Sequence, residues 1–266
     1  MIDKAGRRAL IATLSAVRGT GGGHVSPIEL AGGSALFMQE ARIVFIDGLP
    51  GSGKSTAAIE VGRRFSGSRV FLESEPNHPL LVGVPDEQGA AFADIHEVHS
   101  AQSFAVAALQ KLEGFLNAAQ QGAQYVFESH PMQSTVRVLV QLDAPETMIM
   151  KFWSDLQDRL KLAKPRLLYF RENDPRQALE DIMRKRGPTW ENYMVQAFSR
   201  YPWSKARNLS GSEAVFAAIE EYSGLMDRLA ESWRFPLLML TARPQDYQQR
   251  TNALIEWAGK LSGLRE

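Results

Sequence analysis

The chain has 266 residues, 44% hydrophobic and 23% charged, which suits one sizeable α/β domain with or without an appendage. Its 30 basic residues are cancelled by 30 acidic ones, which excludes a whole-chain electrostatic footprint for nucleic acid or an anionic membrane. Cysteine is absent, so disulfides, thiolate metal sites and a cysteine nucleophile are excluded together, in keeping with a cytoplasmic setting.

Residues 1–40 read differently from the rest. They hold seven of the 21 glycines and only three acids, Asp3, Glu29 and Glu40. Ala9 to Val17 could form two helical turns, but Gly21-Gly22-Gly23 breaks any continuation. The apolar stretch is too short for a signal peptide, and no run is long enough to span a membrane. The expectation is a flexible N-terminal extension, with an organellar presequence or a start at Met38 as alternatives.

From residue 41 the chain alternates strand and helix. Ile43-Val44-Phe45-Ile46 is a short apolar run, as expected of a strand buried on both faces. Immediately after it, Gly48-Leu49-Pro50-Gly51-Ser52-Gly53-Lys54-Ser55 matches G-x-x-x-x-G-K-[ST] in full, and Thr56 continues into helix. The glycines let successive backbone N–H groups turn inward toward phosphate oxygens. Lys54 adds charge for the β and γ phosphates, and the Ser55 hydroxyl can ligate Mg²⁺. The following helix points its positive end at the anion. The loop therefore predicts a site for ATP or a similar triphosphate.

Val70-Phe71-Leu72 is the next strand, followed by Glu73 and Glu75. Phe104, Ala108, Leu112 and Phe115 share one helical face. Tyr125-Val126-Phe127 is a third strand and leads to Glu128. A second amphipathic helix carries Ile149, Phe152, Leu156 and Leu160, and Leu167 to Phe170 form a fourth strand. Groups at the carboxyl ends of parallel strands face the ligand crevice. Glu128 is therefore assigned to Mg²⁺, through water, or to the acceptor, and Glu73 or Glu75 to the base.

A lid-like helical segment spans about 171–208. Arg171 and Arg176 lead into a helix over Gln177 to Met183, which ends in Arg184-Lys185-Arg186 before Gly187-Pro188. Arg186 is the candidate for closing over the γ phosphate, and Arg184 for holding the nucleotide. The alternative is that these cations merely complement a helix C-terminus. Trp190, Tyr193, Tyr201 and Trp203 either wall an acceptor pocket or belong to the core. His78, His96, His99 and His130 lack metal-ligand spacing and are expected to be solvated or to face the acceptor. Ser210-Gly211-Ser212-Glu213 reads as a capping box opening a helix through Phe216, Ile219, Tyr222, Met226 and Leu229. Leu237 to Leu240 is the fifth strand.

Five short strands separated by helices predict a doubly wound α/β domain, about 41–266, with a parallel sheet covered on both faces. Several P-loop classes lack their marks here. There is no N-K-x-D base-reading motif, and no apolar strand ending in Asp-Glu follows 209–213.

From Ile43 onward the chain resembles the P-loop kinases of the nucleoside and nucleotide kinase group, in particular the deoxynucleoside and thymidylate kinase branch. Beyond the phosphate loop, Phe71-Leu72-Glu73-Ser74-Glu75-Pro76 is similar to that group's second strand, and Tyr125-Val126-Phe127-Glu128-Ser129 to its third. Arg184-Lys185-Arg186 stands where a basic lid would be. His78-Pro79, and Arg186 followed by Trp190, also resemble bacterial ATP-binding proteins of undefined substrate. The chain departs from deoxynucleoside kinases at Ser129-His130, where an arginine would stand. The resemblance implies transfer of the γ-phosphoryl group of ATP, with Mg²⁺, to a small-molecule acceptor. The expected partners are thus a nucleoside triphosphate and that acceptor, with no nucleic acid and no membrane. The alternative is an NTP-hydrolysing regulator of a protein partner.

Overall fold

The structure is a computed structural model and describes residues 42–65, 67–75, 77–83, 100–120, 122–242 and 247–262. The expectations for residues 1–40, including the Ala9 to Val17 turns, and for His96 and His99 lie outside the described residues.

Five parallel strands form one sheet in the order β2-β3-β1-β4-β5, where β1 is Arg42–Gly48, β2 Ser68–Phe71, β3 Gln124–Glu128, β4 Arg166–Arg171 and β5 Leu237–Thr241. All five apolar runs read from the sequence are strands, and the α/β class with helices on both faces of a parallel sheet is the one observed. Alternation along each strand sends side chains to opposite faces. Val44, Ile46, Val126, Leu168 and Phe170 pack against α1, Lys54–Arg64, through Ala57, Ala58 and Val61, and against Leu254 of α9, Tyr247–Ser262. Ile43, Phe45, Tyr125, Phe127, Leu167 and Tyr169 face a larger core on the other side.

That second core is supplied by α2, Ala101–Ala118, a π-helical turn Met132–Val136 running into α3, Arg137–Gln141, and α4, Glu146–Leu160. It is completed by α5, Pro175–Arg186, α6, Pro188–Arg200, α7, Pro202–Ala206, and α8, Gly211–Glu231. The lid-like segment is thus three short helices. Two helix starts follow side-chain capping. Ser100 accepts from the Ser103 N–H at 3.1 Å, and Asp174 from the Gln177 N–H at 3.0 Å with Pro175 behind it.

The capping box expected at Ser210 does not form. Ser210 is the N-cap of α8 but its hydroxyl takes no capping bond, and Glu213 pairs with Arg176 at 3.3 Å instead. A long-range cation outcompetes the local N–H for that carboxylate. For His78 and His130 the structure removes the solvated alternative. Both are buried, at 5% and 3% exposure, among Phe71, Phe127 and Phe45, so neither is solvated. Burial pulls His78 down to about 4, and burial with His78 as neighbour pulls His130 well below its ordinary value. They are neutral core histidines at neutral pH.

Candidate functional site

The site grows from the carboxyl end of β1, the central strand. Gly48 closes that strand beside Phe170 of β4, and the loop Leu49–Gly53 turns the chain into α1. Gly51 and Gly53 have φ of 84° and 95°, the left-handed region that side-chain-bearing residues avoid. A side chain at either position would also have to displace the flexible end of a neighbour. A Cβ on Gly51 would strike Ile182 of α5, and one on Gly53 would lie 2.5 Å from the Arg250 guanidinium of α9. The loop is thus clasped from two sides, by the first lid helix and by the last helix.

Arg250 was not foreseen. It donates to the Ser52 carbonyl at 2.7 Å and the Ala242 carbonyl at 3.0 Å, and stacks over Phe170 at 4.2 Å. Nothing local in the sequence marks it, because it lies 198 residues from the carbonyl it holds.

Lys54 opens α1 and is buried, its ammonium donating to the Leu49 carbonyl at 2.9 Å. Burial pulls its pKa below the ordinary value and the Arg186 guanidinium adds to this, while Glu128, Glu73 and Asp47 oppose. Ser55 and Thr56 are exposed at the start of the same helix. The Ser55 hydroxyl donates to Glu128 Oε1 at 3.1 Å. Glu128 ends β3 and pairs in register with Ile46, so it stands beside the phosphate loop on the α1 side of the sheet.

The carboxylates form a connected group. Glu128 Oε1 also accepts from the Ser129 hydroxyl at 2.8 Å, and its Oε2 accepts from the Glu73 backbone N–H at 2.9 Å. Ser129 itself has φ of 62°, a left-handed backbone at a residue that is not glycine. Such strain persists only where the surroundings fix it, and it clusters at functional sites. Glu73 Oε2 in turn accepts from the Gln133 side-chain amide at 2.9 Å, with the Arg137 guanidinium 4.0 Å from Oε1. Burial raises the Glu73 pKa and Glu128 adds to this, against Arg137 and Lys54. Of the two candidate bases only Glu73 joins this group. Glu75 turns back to its own loop, accepting from the Leu72 N–H at 3.4 Å near Arg69.

The lid arginines separate in the same way. Arg186 stacks on Trp190 at 4.8 Å and is close enough to Lys54 to act on its charge. Arg184 is 72% exposed and paired with Asp181 at 3.1 Å. Arg171 is held by Asp227 and Arg176 by Glu220, both carboxylates of α8.

A second residue missed from the sequence is Asp47, the last side chain of β1 before the loop. It is fully buried and accepts from the N–H groups of Gly48, Met132 and Gln133 at 3.0, 2.6 and 3.1 Å. It thereby fixes the π-helical turn that carries Gln133 toward Glu73. Burial pushes its carboxyl up to about 7, against Lys54 and the three N–H donors. The reasoning that singled out Glu128, an acid ending a buried strand, applies equally to Asp47.

Mg²⁺ is a hard cation that usually keeps several waters and takes one or two protein oxygens. The Ser55 hydroxyl and Glu128 carboxylate, 3.1 Å apart at the head of α1, are a donor set of that kind. Among the described residues no group of three or more His, Asp and Glu could hold a metal alone. Nor is any helix among them long and apolar enough to cross a membrane.

No family model and no curated protein matches the chain. Solved structures do. A YorR protein from Bacillus subtilis, in complex with phosphorylated GDP, is 10% identical over 83% of this chain and 96% of its own, with a TM-score of 0.44. The thymidylate kinase of Candida albicans is 14% identical over 84% and 92%, with a TM-score of 0.47. A tunicamycin resistance protein from Deinococcus radiodurans is 15% identical over 82% and 96%, with a TM-score of 0.37.

Proposed function

We propose that the chain is an ATP-dependent phosphotransferase acting on a small-molecule acceptor. The observation that carries this is the hydrogen-bonded line Ser55–Glu128–Glu73 beside the buried Lys54, at the carboxyl end of the sheet. A nucleotide phosphate-binding loop alone needs only Lys54, Ser55 and the backbone. A second carboxylate with a raised pKa, on the residue whose backbone N–H donates to Glu128, is what an acceptor would use.

In this reading the backbone N–H groups of residues 51–54 and the Lys54 ammonium bind the β and γ phosphates. Ser55 and Glu128 would hold Mg²⁺, Glu128 through water. Mg²⁺ supplies charge neutralisation across the phosphates as the terminal group moves. Glu73 orients the acceptor hydroxyl and takes its proton. That oxygen forms a new bond to the γ phosphorus, while the bond from phosphorus to the bridging oxygen of the leaving ADP breaks. Arg186 offsets the charge spreading over the transferred group.

The test pairs two variants. Lys54→Ala should abolish acceptor-dependent ATP consumption. Glu128→Gln should lower the rate by roughly a hundredfold or more while ATP affinity changes by less than about tenfold. Consumption measured against nucleosides, amino acids and aminoglycoside-like alcohols, alongside nucleotide titration, separates the two effects. Undiminished turnover in Lys54→Ala would overturn the proposal. Stimulation by a protein and by none of the small molecules would instead favour a regulatory NTPase.

A further inference from the structure

A second concave region lies away from the phosphate loop, at the rim of the sheet. β2 is an edge strand, paired with β3 alone, and β3 separates it from β1. Between β2, residues 77–82 and α2 runs an open groove of about 640 Å³. That is the size of a small-molecule site and far larger than a water. None of residues 48–56 lines it, and neither does Glu73 or Glu128.

The floor of the groove is aromatic. Phe71, Phe115 and Tyr125 line it, and Phe115, half-buried on α2, stands edge-on to Tyr125 at 4.9 Å. Its charge has one sign. Arg69 of β2 and Lys111 of α2 are both exposed and line it, and no acid does among the described residues. Arg69 lies over the Phe71 ring at 4.5 Å, which holds one cation against the aromatic floor. The acid in electrostatic range of Arg69 is Glu75, whose carboxylate accepts from the Leu72 N–H of its own loop. Gly114 adds a third observation. It stands inside the 18-residue helix α2 and lines the groove, although glycine weakens a helix interior. A Cβ at Gly114 would meet nothing within 4 Å. Packing among the described residues therefore does not call for a glycine; its bare Cα gives the groove width.

We propose that this groove binds a small aryl carboxylate, a flat aromatic ring system bearing one anionic group, at a site separate from the phosphate loop. The ring lies in the width opened at Gly114, against Phe115 and Tyr125, where contact between aromatic groups adds to the gain from apolar burial. The carboxylate lies between Arg69 and Lys111, its two oxygens answering a guanidinium fork and an ammonium. Charge alone is too weak at so exposed a site, and an apolar ring alone leaves the cations without an answer. The proposal does not rest on the phosphotransferase reading.

The test is calorimetric titration of the full chain with 2-naphthoate and indole-3-acetate, with neutral 2-naphthalenemethanol, acetate and octanoate as controls. Both aryl carboxylates should give saturable heat at millimolar concentration or below, and acetate none. The neutral arene should bind at least about tenfold more weakly than 2-naphthoate, and Lys111→Gln and Arg69→Gln should each weaken 2-naphthoate by about tenfold. Gly114→Leu fills the groove and should abolish binding while melting at or above the parent temperature, because leucine is the better helix former. Lys54→Ala should keep the 2-naphthoate affinity. No saturable heat with either aryl carboxylate overturns the proposal, as does unchanged affinity in Lys111→Gln and Arg69→Gln or full binding in Gly114→Leu. Loss of binding in Lys54→Ala would move the ligand to the phosphate loop, and octanoate binding more tightly than 2-naphthoate would give the groove to an acyl chain. Affinity gained when Asp86, Glu87, Asp94 and Glu97 are changed to Gln would give it to the chain's own acidic residues. A dimer dissociated by Gly114→Leu and not by 2-naphthoate would give it to a second copy. Each of these outcomes also overturns the proposal, and none touches the phosphotransferase reading, whose residues lie elsewhere.

Discussion

On the face covered by α1 and α9, the sheet presents Val44, Ile46, Val126, Leu168 and Phe170 to alanines and valines, and the polar group it shows is Glu128 at the strand end. On the face toward α3 and α8, the core is larger and also holds Asp47, His78, His130, Gln133, Gln141, Ser204 and Tyr222. Apolar packing on the first face seats α1 and α9, whose Lys54 and Arg250 bring positive charge to the loop Leu49–Gly53. The second face accepts buried polar side chains, Asp47 and Gln133 among them, which tie the π-helical turn to the strand ends. The two faces differ in how much buried polarity they hold, and the candidate carboxylates meet where the two cores reach the ends of the strands.

The sharpest way to break this contrast is Asp47→Asn. The carboxylate is fully buried and serves three N–H groups, so replacing half of it should cost about 2–3 kcal/mol of stability, read from denaturant midpoints. The pH dependence gives a second reading. Asp47 titrates near 7 when folded and near 3.8 when unfolded, so between these values the native state holds the extra proton. Stability from this group is full below the lower value and is lost as pH rises through the upper one. His78, lowered from 6.5 to about 4, acts with the opposite sign but is present in both proteins. The deficit of Asp47→Asn should therefore be larger near about pH 5 than near about pH 8. An unchanging deficit would show that Asp47 stays ionised throughout.

Arg250→Ala probes the other face. Its side chain braces the Ser52 carbonyl from α9 and stacks on Phe170, so removing it loosens the loop without touching the carboxylates. ATP affinity should fall by about tenfold, roughly 1.4 kcal/mol, with kcat little changed. An equal fall in kcat would place Arg250 among the groups acting on the moving phosphate. The smallest effect belongs to Arg184→Ala. Its guanidinium is 72% exposed and, among the described residues, is paired within its own helix, where such pairs contribute about 0.5 kcal/mol or less. Stability and turnover should both remain within twofold of the parent, and a large fall in either would move the nucleotide contact from Arg186 to Arg184.

The strands, the phosphate loop and α1 were legible in the sequence because their determinants are local. An apolar run buried on both faces, glycines at positions of positive φ, and a Lys-Ser pair opening a helix all lie within a dozen residues of one another. Glu128 was legible for the same reason, as a carboxylate ending a buried strand. The choice between Glu73 and Glu75 was not, since both follow β2 and only the approach of Glu128, Gln133 and Arg137 separates them. The Ser210 capping box was misleading because Glu213 is drawn to Arg176, a residue no local pattern relates to it.

By itself, then, the sequence determined the α/β class and the parallel sheet and marked the loop proposed to bind phosphate, because periodicity and backbone conformation are properties of neighbouring residues. Tertiary structure alone decided which carboxylate meets which cation, that Arg250 braces the loop from 198 residues away, and that Arg69 and Lys111 share a groove. Those depend on burial and on the meeting of distant elements. Desolvation and charge proximity, which set the chemistry of a site, are fixed only once those elements pack.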